Sequence, residues 1–342
     1  MLFLRLIENL RSRGHKVISV TREYRDVLNM LRMVGLEAKV IGRHGGGSLT
    51  GKLRASAERI LDLASCFVEE EPDLAVSFSS PEMARVAFGL RVPHLCINDS
   101  PHAEAVAKLT IPLSSRLLTP KIIPKHAWTR YGISPDRIRQ YNALDPWAWL
   151  KDFKPDRKVL EMLDLSDSKP IITIRPEEEY AAYLIGKTHG RTAVIPLIKE
   201  ILTRRDDVQI VAVPRYTEQM EALSRYFKDR IIIPRSPVNG PSLLHYSSVF
   251  IGGGGTMTIE AALLGVPTLS CYPDEPFIIL KYLMNMGLVR LERDPKRLTD
   301  NALKIIENLD EERERQYETA RKLTEKFEDP IQVIADEIER NT

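Results

Sequence analysis

Cysteine is scarce in this chain: Cys66, Cys96 and Cys271 are the only three, set far apart. None belongs to a Cys-x-x-Cys pair or to a metal-ligand spacing, which excludes a disulfide scaffold and predicts reduced core thiols in a cytoplasmic protein. A dominant charge is missing too. Forty-nine Lys and Arg face 47 Asp and Glu, a net +2, too balanced for a chain whose main partner is nucleic acid. Long apolar runs are also lacking. No charged segment leads into an apolar stretch with a cleavage site, so secretion is not expected. The most apolar window, Val249 to Tyr272, is interrupted by four glycines, Glu260 and Pro267, which suits strand, loop, helix and strand better than a membrane span. With no His-Glu-x-x-His, Cys/His cluster or Asp-x-Asp diad, no protein-held metal and no cofactor is expected.

What is present is alternation. Across 342 residues, enough for about two domains, short β-branched runs alternate with amphipathic stretches, the pattern of parallel sheets covered by helices. Strands are expected at 15–20, 37–42, 73–79, 93–98 and 117–123, then at 170–175, 208–214, 230–234, 249–253 and 267–272. Helices are expected over 1–13, 53–70, 101–109, 193–204, 218–227, 257–264, 310–327 and 331–338. The Asp-, Pro-, Lys- and Trp-rich stretch 142–168 separates the two series. The expected organisation is α/β: a Rossmann-like acceptor domain over 1–150, a linker at 151–168, a Rossmann-like nucleotide-sugar-binding domain over 169–327, and a closing helix at 328–342, the two doubly wound domains facing a cleft. One irregularity stands out. A doubly wound unit starts with the strand that becomes its sheet centre, whereas this chain starts with a helix, so either a strand lies upstream of Met1 or the first sheet tolerates a gap.

The strongest motif is Ile251-Gly252-Gly253-Gly254-Gly255-Thr256-Met257-Thr258-Ile259-Glu260, followed by Ala261-Ala262-Leu263-Leu264-Gly265-Val266-Pro267. A strand runs through glycines into a helix, whose first N–H groups and dipole favour a phosphate. Glu260, one turn on, is placed to accept hydrogen bonds from ribose hydroxyls. Leu243-Leu244 through Gly252–Gly255, Thr256, Glu260 and Leu264-Gly265-Val266-Pro267 resemble the C-terminal signature of GT-B glycosyltransferases and UDP-N-acetylglucosamine 2-epimerases. The resemblance implies that Gly253, Gly254, Gly255 and Thr256 hold a nucleoside diphosphate, that Glu260 holds ribose, and that the donor is a UDP-type sugar. Three further segments, Ile41-Gly42-Arg43-His44-Gly45-Gly46, Ser80-Pro81-Glu82 through Leu90, and Asn98-Asp99-Ser100-Pro101-His102-Ala103, resemble an uncharacterised, mostly archaeal family of the same GT-B superfamily. Members of that family would begin with a β-strand and short loop before Leu2-Phe3.

Other candidates follow from position at the carboxyl edge of expected strands. Asp99 and His102 follow the strand at 93–98; either suits the base that an inverting glycosyl transfer needs, Asp99 could instead orient His102, and capping of the next helix by Asp99 is the structural alternative. Arg175, with Lys187, His189 and Arg191 in the loop beyond, could neutralise a leaving diphosphate; Arg215 sits at the same edge. Glu177 to Glu179 read as solvated, and Trp128, Trp147 and Trp149 as packing at the domain junction. His44, Gly45 and Gly46 open a loop that would contact sugar or acceptor. Gly46-Gly47-Ser48-Leu49-Thr50-Gly51-Lys52 fits a P-loop spacing, but Leu53 stands where Ser or Thr must bind magnesium; the His44-Gly45-Gly46-Gly47 run has no Gly-x-Ser-x-Gly elbow to serve. Glycosyl transfer is therefore the leading reading. A 2-epimerase-like activity is the alternative, weakened because Ser79-Ser80 replaces the Asp of the epimerases' Gly-Asp-Thr and Asn98 the Glu of His-Val-Glu-Ala-Gly; a non-catalytic nucleotide-sugar binder is the third. The acceptor, a sugar or a lipid-linked group, is not legible. Leu2, Phe3, Leu6 and Ile7 with Arg5, Arg11 and Arg13 allow a membrane-surface contact that core packing explains equally well.

Overall fold

The computed structural model describes residues 1–23, 25–177 and 193–342, which form two units, Met1–Ala148 with Glu328–Thr342, and Trp149–Phe327.

In the first unit the strands are β1 (Val20–Glu23), β2 (Lys39–Arg43), β3 (Ala75–Phe78), β4 (His94–Ile97), β5 (Arg116–Pro120) and β6 (Ile138–Tyr141). They form two parallel ladders, β1-β2 and β3-β4-β5-β6, and among the described residues no strand joins the two. The strand expected at 15–20 begins only at Val20. The reason is local: Gly14, at φ +92°, ends the Leu2–Ser12 helix, and His15 still donates its N–H to Leu10, so the start of this stretch is used to close a helix. Strand β6 was not foreseen, because Arg139 and Gln140 interrupt its apolar character at the sheet edge.

What ties the ladders together is the Leu49–Glu70 helix. Its Leu63 and Phe67 share a core with Ala75, Val86 and Ala87, and Val20 of β1 and Ile41 of β2 pack against the same cluster. Arg59 on this helix donates to the Ile41 carbonyl at 3.0 Å and pairs with Glu82 at 3.4 Å, both side chains buried. Gly42 passes over the Arg59 stem so closely that a Cβ there would lie 2.7 Å from its Cγ. The closing helix, Pro330–Glu339, packs on Leu2–Ser12, with Arg13 reaching Asp336 at 3.0 Å and Glu339 at 2.8 Å.

The second unit is one parallel sheet of order β11-β10-β9-β7-β8, with β7 (Ile171–Arg175), β8 (Gln209–Ala212), β9 (Val249–Gly252), β10 (Thr268–Ser270) and β11 (Arg290–Leu291). Unbroken burial along Ile171 to Ile174, Ile210 to Ala212 and Val249 to Gly252 fits strands covered on both faces. The strand expected at 230–234 is reduced to a single bridge, Val211 to Ile232; Pro234 has no N–H with which to extend it. Residues 151–168, expected as a linker, carry a helix at Lys158–Met162 and bury Val159, Leu160, Leu163 and Leu165 against Ile171, Val211 and Leu243. All three cysteines are free and buried.

Candidate functional site

The chain enters the second sheet at β7, moves outward to β8, and returns to the other side of β7 as β9. The strand order reverses between β7 and β9, and the crevice outside the carboxyl ends of two such strands is where open α/β sheets bind ligands. The two strands end on Arg175 and Gly252, which pair with each other.

Each glycine of the loop beyond β9 has its own reason. A Cβ on Gly252 would lie 2.7 Å from the Thr258 hydroxyl, and one on Gly253 would lie 2.5 Å from the Glu177 Cα. Gly254 and Gly255 have φ of +98° and +87°, and a Cβ on Gly254 would strike the Tyr272 ring at 2.6 Å. The backbone therefore turns left-handed twice, which only glycine does without strain, and then starts the Thr256–Leu263 helix with Thr256 exposed. The first N–H groups of a helix have no partner within it and carry its positive dipole end. Arg215 braces this loop, donating to the carbonyls of Gly254 at 3.1 Å and Pro176 at 3.3 Å. Arg175 donates to the carbonyls of Val213 and Pro214, both at 3.0 Å, and so fixes the chain leaving β8. Arg215 thus holds the loop, and the two cations together set the local field.

Glu260 points inward, 7% exposed, and its carboxylate accepts from Trp149 Nε1 at 2.9 Å. Burial lifts its pKa to about 7, opposed by the Trp149 hydrogen bond and the charge of Arg175. Trp149, read from sequence only as packing, is therefore a partner of the candidate ribose ligand. Glu177 needs a correction: expected in solvent, it is buried, accepting from the Ala193 N–H at 2.9 Å, with Gln219 donating to its carbonyl at 2.9 Å. The signal that would have found it is position, two residues past the carboxyl end of the switch-point strand. Lys187, His189 and Arg191 lie outside the described residues, as do Glu178 and Glu179.

The first unit places its candidates at strand ends too. Asp99 follows β4, where Asn98 closes a tight turn by accepting from the Ser100 N–H at 2.8 Å and Ser100 donates to Asp99 Oδ1 at 2.6 Å. Asp99 does not cap a helix: the next one, Glu104–Thr110, has Ala103 at its N-cap. Burial raises the Asp99 pKa, and the Ser100 hydrogen bond opposes this. His102 lies in the turn between, its carbonyl accepting from Glu104 at 2.9 Å. Beyond β2, His44 Nδ1 accepts from the Gly46 N–H at 3.2 Å. Gly45 lies against the first turn of the Leu49–Glu70 helix, where a Cβ would meet Lys52 Cα at 2.5 Å. Burial lowers the His44 pKa, helped by the positive charges of Arg22 and Lys52, so the ring is neutral at pH 7. Among the described residues, no group of three or more His, Cys, Asp or Glu could hold a metal, and no helix is long and apolar enough to cross a membrane.

The parallel α/β sheets of this chain match the fold of GT-B glycosyltransferase and epimerase structures. The chain belongs to the family described as "Protein of unknown function (DUF354)", which matches residues 1–341. It is 32% identical over 301 residues to "Uncharacterized protein MJ0665" of Methanocaldococcus jannaschii, covering 86% of this chain and 85% of that protein. Among solved structures it is similar to UDP-GlcNAc 2-epimerase from Neisseria meningitidis bound to UDP-GlcNAc, with a TM-score of 0.72, 16% identity, and coverage of 97% of this chain and 94% of that one. The UDP-GlcNAc 2-epimerase of M. jannaschii matches at a TM-score of 0.64 with 17% identity over 98% and 94% of the two chains. Anabaena Alr3699/HepE in complex with UDP-glucose matches at 0.65 with 12% identity over 99% and 95%. At these identities the likeness is one of fold.

Proposed function

We propose that the protein binds a nucleoside diphosphate sugar on its second unit and transfers the sugar to an acceptor hydroxyl. The observation that carries this reading is the loop Gly252–Gly255, folded left-handed at the switch-point strand end and feeding a helix N-terminus, with a buried acid one turn further on. In this account the diphosphate takes the N–H groups of Gly254, Gly255 and Thr256, Gly253 having given its own to the Arg175 carbonyl at 3.0 Å, and Glu260 accepts from the ribose hydroxyls. Arg175 and Arg215 contribute positive potential, and Lys187, His189 and Arg191 remain candidates for the same task. Asp99 or His102 removes the acceptor proton. The acceptor oxygen then bonds to the anomeric carbon, and the bond from that carbon to the diphosphate breaks, its electron pair leaving with the nucleotide. His44, Gly45 and Gly46 are assigned to sugar or acceptor contact. The co-crystallised UDP-GlcNAc and UDP-glucose of the structural relatives support a UDP-type donor.

A 2-epimerase-like reaction is the second reading, favoured by the printed activity of two structural relatives. Against it, Ser80 caps the Pro81–Gly89 helix, Ser79 donates to the Ile97 carbonyl, and Asn98 closes the Ser100 turn. The positions where the epimerases carry acids are occupied by turn-forming residues.

Thermal-shift measurements with UDP, GDP, CDP, dTDP and ADP and their sugar conjugates test the proposal, since a ligand at 100 times its Kd adds about 2.7 kcal/mol to the native state. One nucleotide family is expected to stabilise the protein, and silence from all of them would sink the donor assignment. Glu260→Ala is expected to raise the nucleotide Kd at least about tenfold, or about 1.4 kcal/mol. Because ribose hydroxyls donate to the ionised carboxylate, binding should tighten as pH rises toward the Glu260 pKa of about 7 and level off above it.

A further inference from the structure

Two buried groups of the first unit have no part in the account above. Tyr141, the last residue of β6, is fully buried, and Asp145 in the turn that follows is 4% exposed. The Tyr141 hydroxyl donates to Asp145 Oδ1, while Asp145 Oδ2 is buried with no hydrogen-bond partner. Both lie at the carboxyl edge of the ladder β3-β4-β5-β6, the edge at which Asp99 follows β4. They are also close enough to Asp99 for its negative charge to act on each of them.

A carboxylate stripped of water with one oxygen unpartnered carries a desolvation cost that protonation removes. A second negative charge nearby adds to that cost and favours the protonated form further. Tyr141 occupies Oδ1 as a donor, which leaves Oδ2 as the atom to carry a proton. We propose that Asp145 is the proton-holding member of an Asp99–Asp145 pair, kept neutral at pH 7 so that Asp99 bears the pair's single negative charge. Asp145 is thus a positioning residue acting through Asp99, and this role rests on the reading of Asp99 as the base. Were Asp145 ionised, the proton would pass to Asp99, which could then accept none from a hydroxyl.

The groups that act on Asp145 are consistent with this assignment. Burial raises its pKa well above the carboxylate range, the charge of Asp99 raises it further, and the Tyr141 hydrogen bond opposes both. No cation is among these groups. His102 lies on the segment that follows Asp99, and Arg130, at the end of the His126–Thr129 helix, reaches that segment by donating to the Pro101 carbonyl at 3.1 Å while also donating to the Tyr131 hydroxyl at 2.6 Å.

Carbon-13 titration of the aspartate side chains in the whole protein, with assignments from single Asp→Asn variants, tests the pair without needing a substrate. The Asp145 carboxyl is expected to be protonated at pH 7. Its midpoint should fall by about one pH unit or more in Asp99→Asn, where the neighbouring charge is gone. It should rise in Tyr141→Phe, which loses the donor to the ionised form. In Asp145→Asn, which keeps an acceptor for Tyr141, the Asp99 midpoint should stay in place, because Asp99 ionises while its partner is already neutral. An Asp145 carboxyl ionised at pH 7, or a midpoint unmoved by Asp99→Asn, overturns the proposal. Nucleotide binding, measured on the same samples, reports separately on the donor reading, so failure of that reading leaves the titration result standing.

Discussion

The two units build parallel sheets from the same kind of strand, yet one sheet is continuous and the other is divided. In Trp149–Phe327, β7 pairs with both β8 and β9, so every central strand has neighbours on two sides. In the first unit β1 and β2 pair only with each other, and their connection to β3 runs through side chains: the Leu63–Phe67 cluster and the buried Arg59–Glu82 pair. A sheet closed by backbone hydrogen bonds tolerates the loss of one side chain, whereas a two-stranded ladder is marginal by itself and depends on what packs against it. The divided sheet is therefore expected to be the weaker of the two and the more sensitive to single substitutions.

The largest effect should come from Arg59→Met, which strands Glu82 as a buried charge and releases the Ile41 carbonyl. A loss of about 3–5 kcal/mol in urea unfolding is expected, with most of it regained in Arg59→Met/Glu82→Leu; a double variant as unstable as the single one would show that the pair is not what joins the ladders. Next comes Gly254→Ala in the second unit, which combines a left-handed φ with a Cβ 2.6 Å from the Tyr272 ring. About 3 kcal/mol should be lost, together with nucleotide binding.

Glu260→Gln should work in the opposite direction. The Glu260 pKa rises from 4.5 in the unfolded chain to about 7 in the fold, so the folded protein binds the extra proton. That contribution to stability is complete below pH 4.5 and is lost as pH rises through 7. At pH 8 the variant should exceed the wild type by about 2–3 kcal/mol, while near pH 4 the two should converge; equal melting curves at both pH values would contradict the buried, raised carboxyl. Native-state hydrogen exchange should then show the β1 and β2 amides opening at least about tenfold more readily than those of β7 and β9, a difference of about 1.4 kcal/mol. The smallest change belongs to Gly46→Ala: at φ +72° with no atom within 4 Å of its Cβ, it should cost about 1 kcal/mol of backbone strain alone. Set beside Gly254→Ala, it separates strain from crowding.

Much of this organisation is legible in the chain itself. The alternation of β-branched runs and amphipathic stretches yields two parallel α/β units, because the period of apolar residues is a local property. The glycine loop is legible for a similar reason, since a left-handed backbone and close approach demand glycine whatever surrounds it. Less visible were β6, whose polar Arg139 and Gln140 hide an edge strand, and 230–234, where an apolar run meets Pro234 and pairs only once.

The sequence by itself determined the fold class, the order of elements, and the place of the glycine loop at a strand end, all properties of neighbours along the chain. The tertiary structure decided which charges lose their water. Glu177, Glu260 and Asp145 are acids in stretches that read as polar or helical, and each is buried by residues distant in sequence or by a turn the pattern does not predict. Trp149 reaches Glu260 across 111 positions, and Arg215 reaches Gly254 across 39. Solvation is a property of the whole packed neighbourhood, and it is the loss of it that lifts the Glu260 and Asp145 carboxyls above their ordinary range.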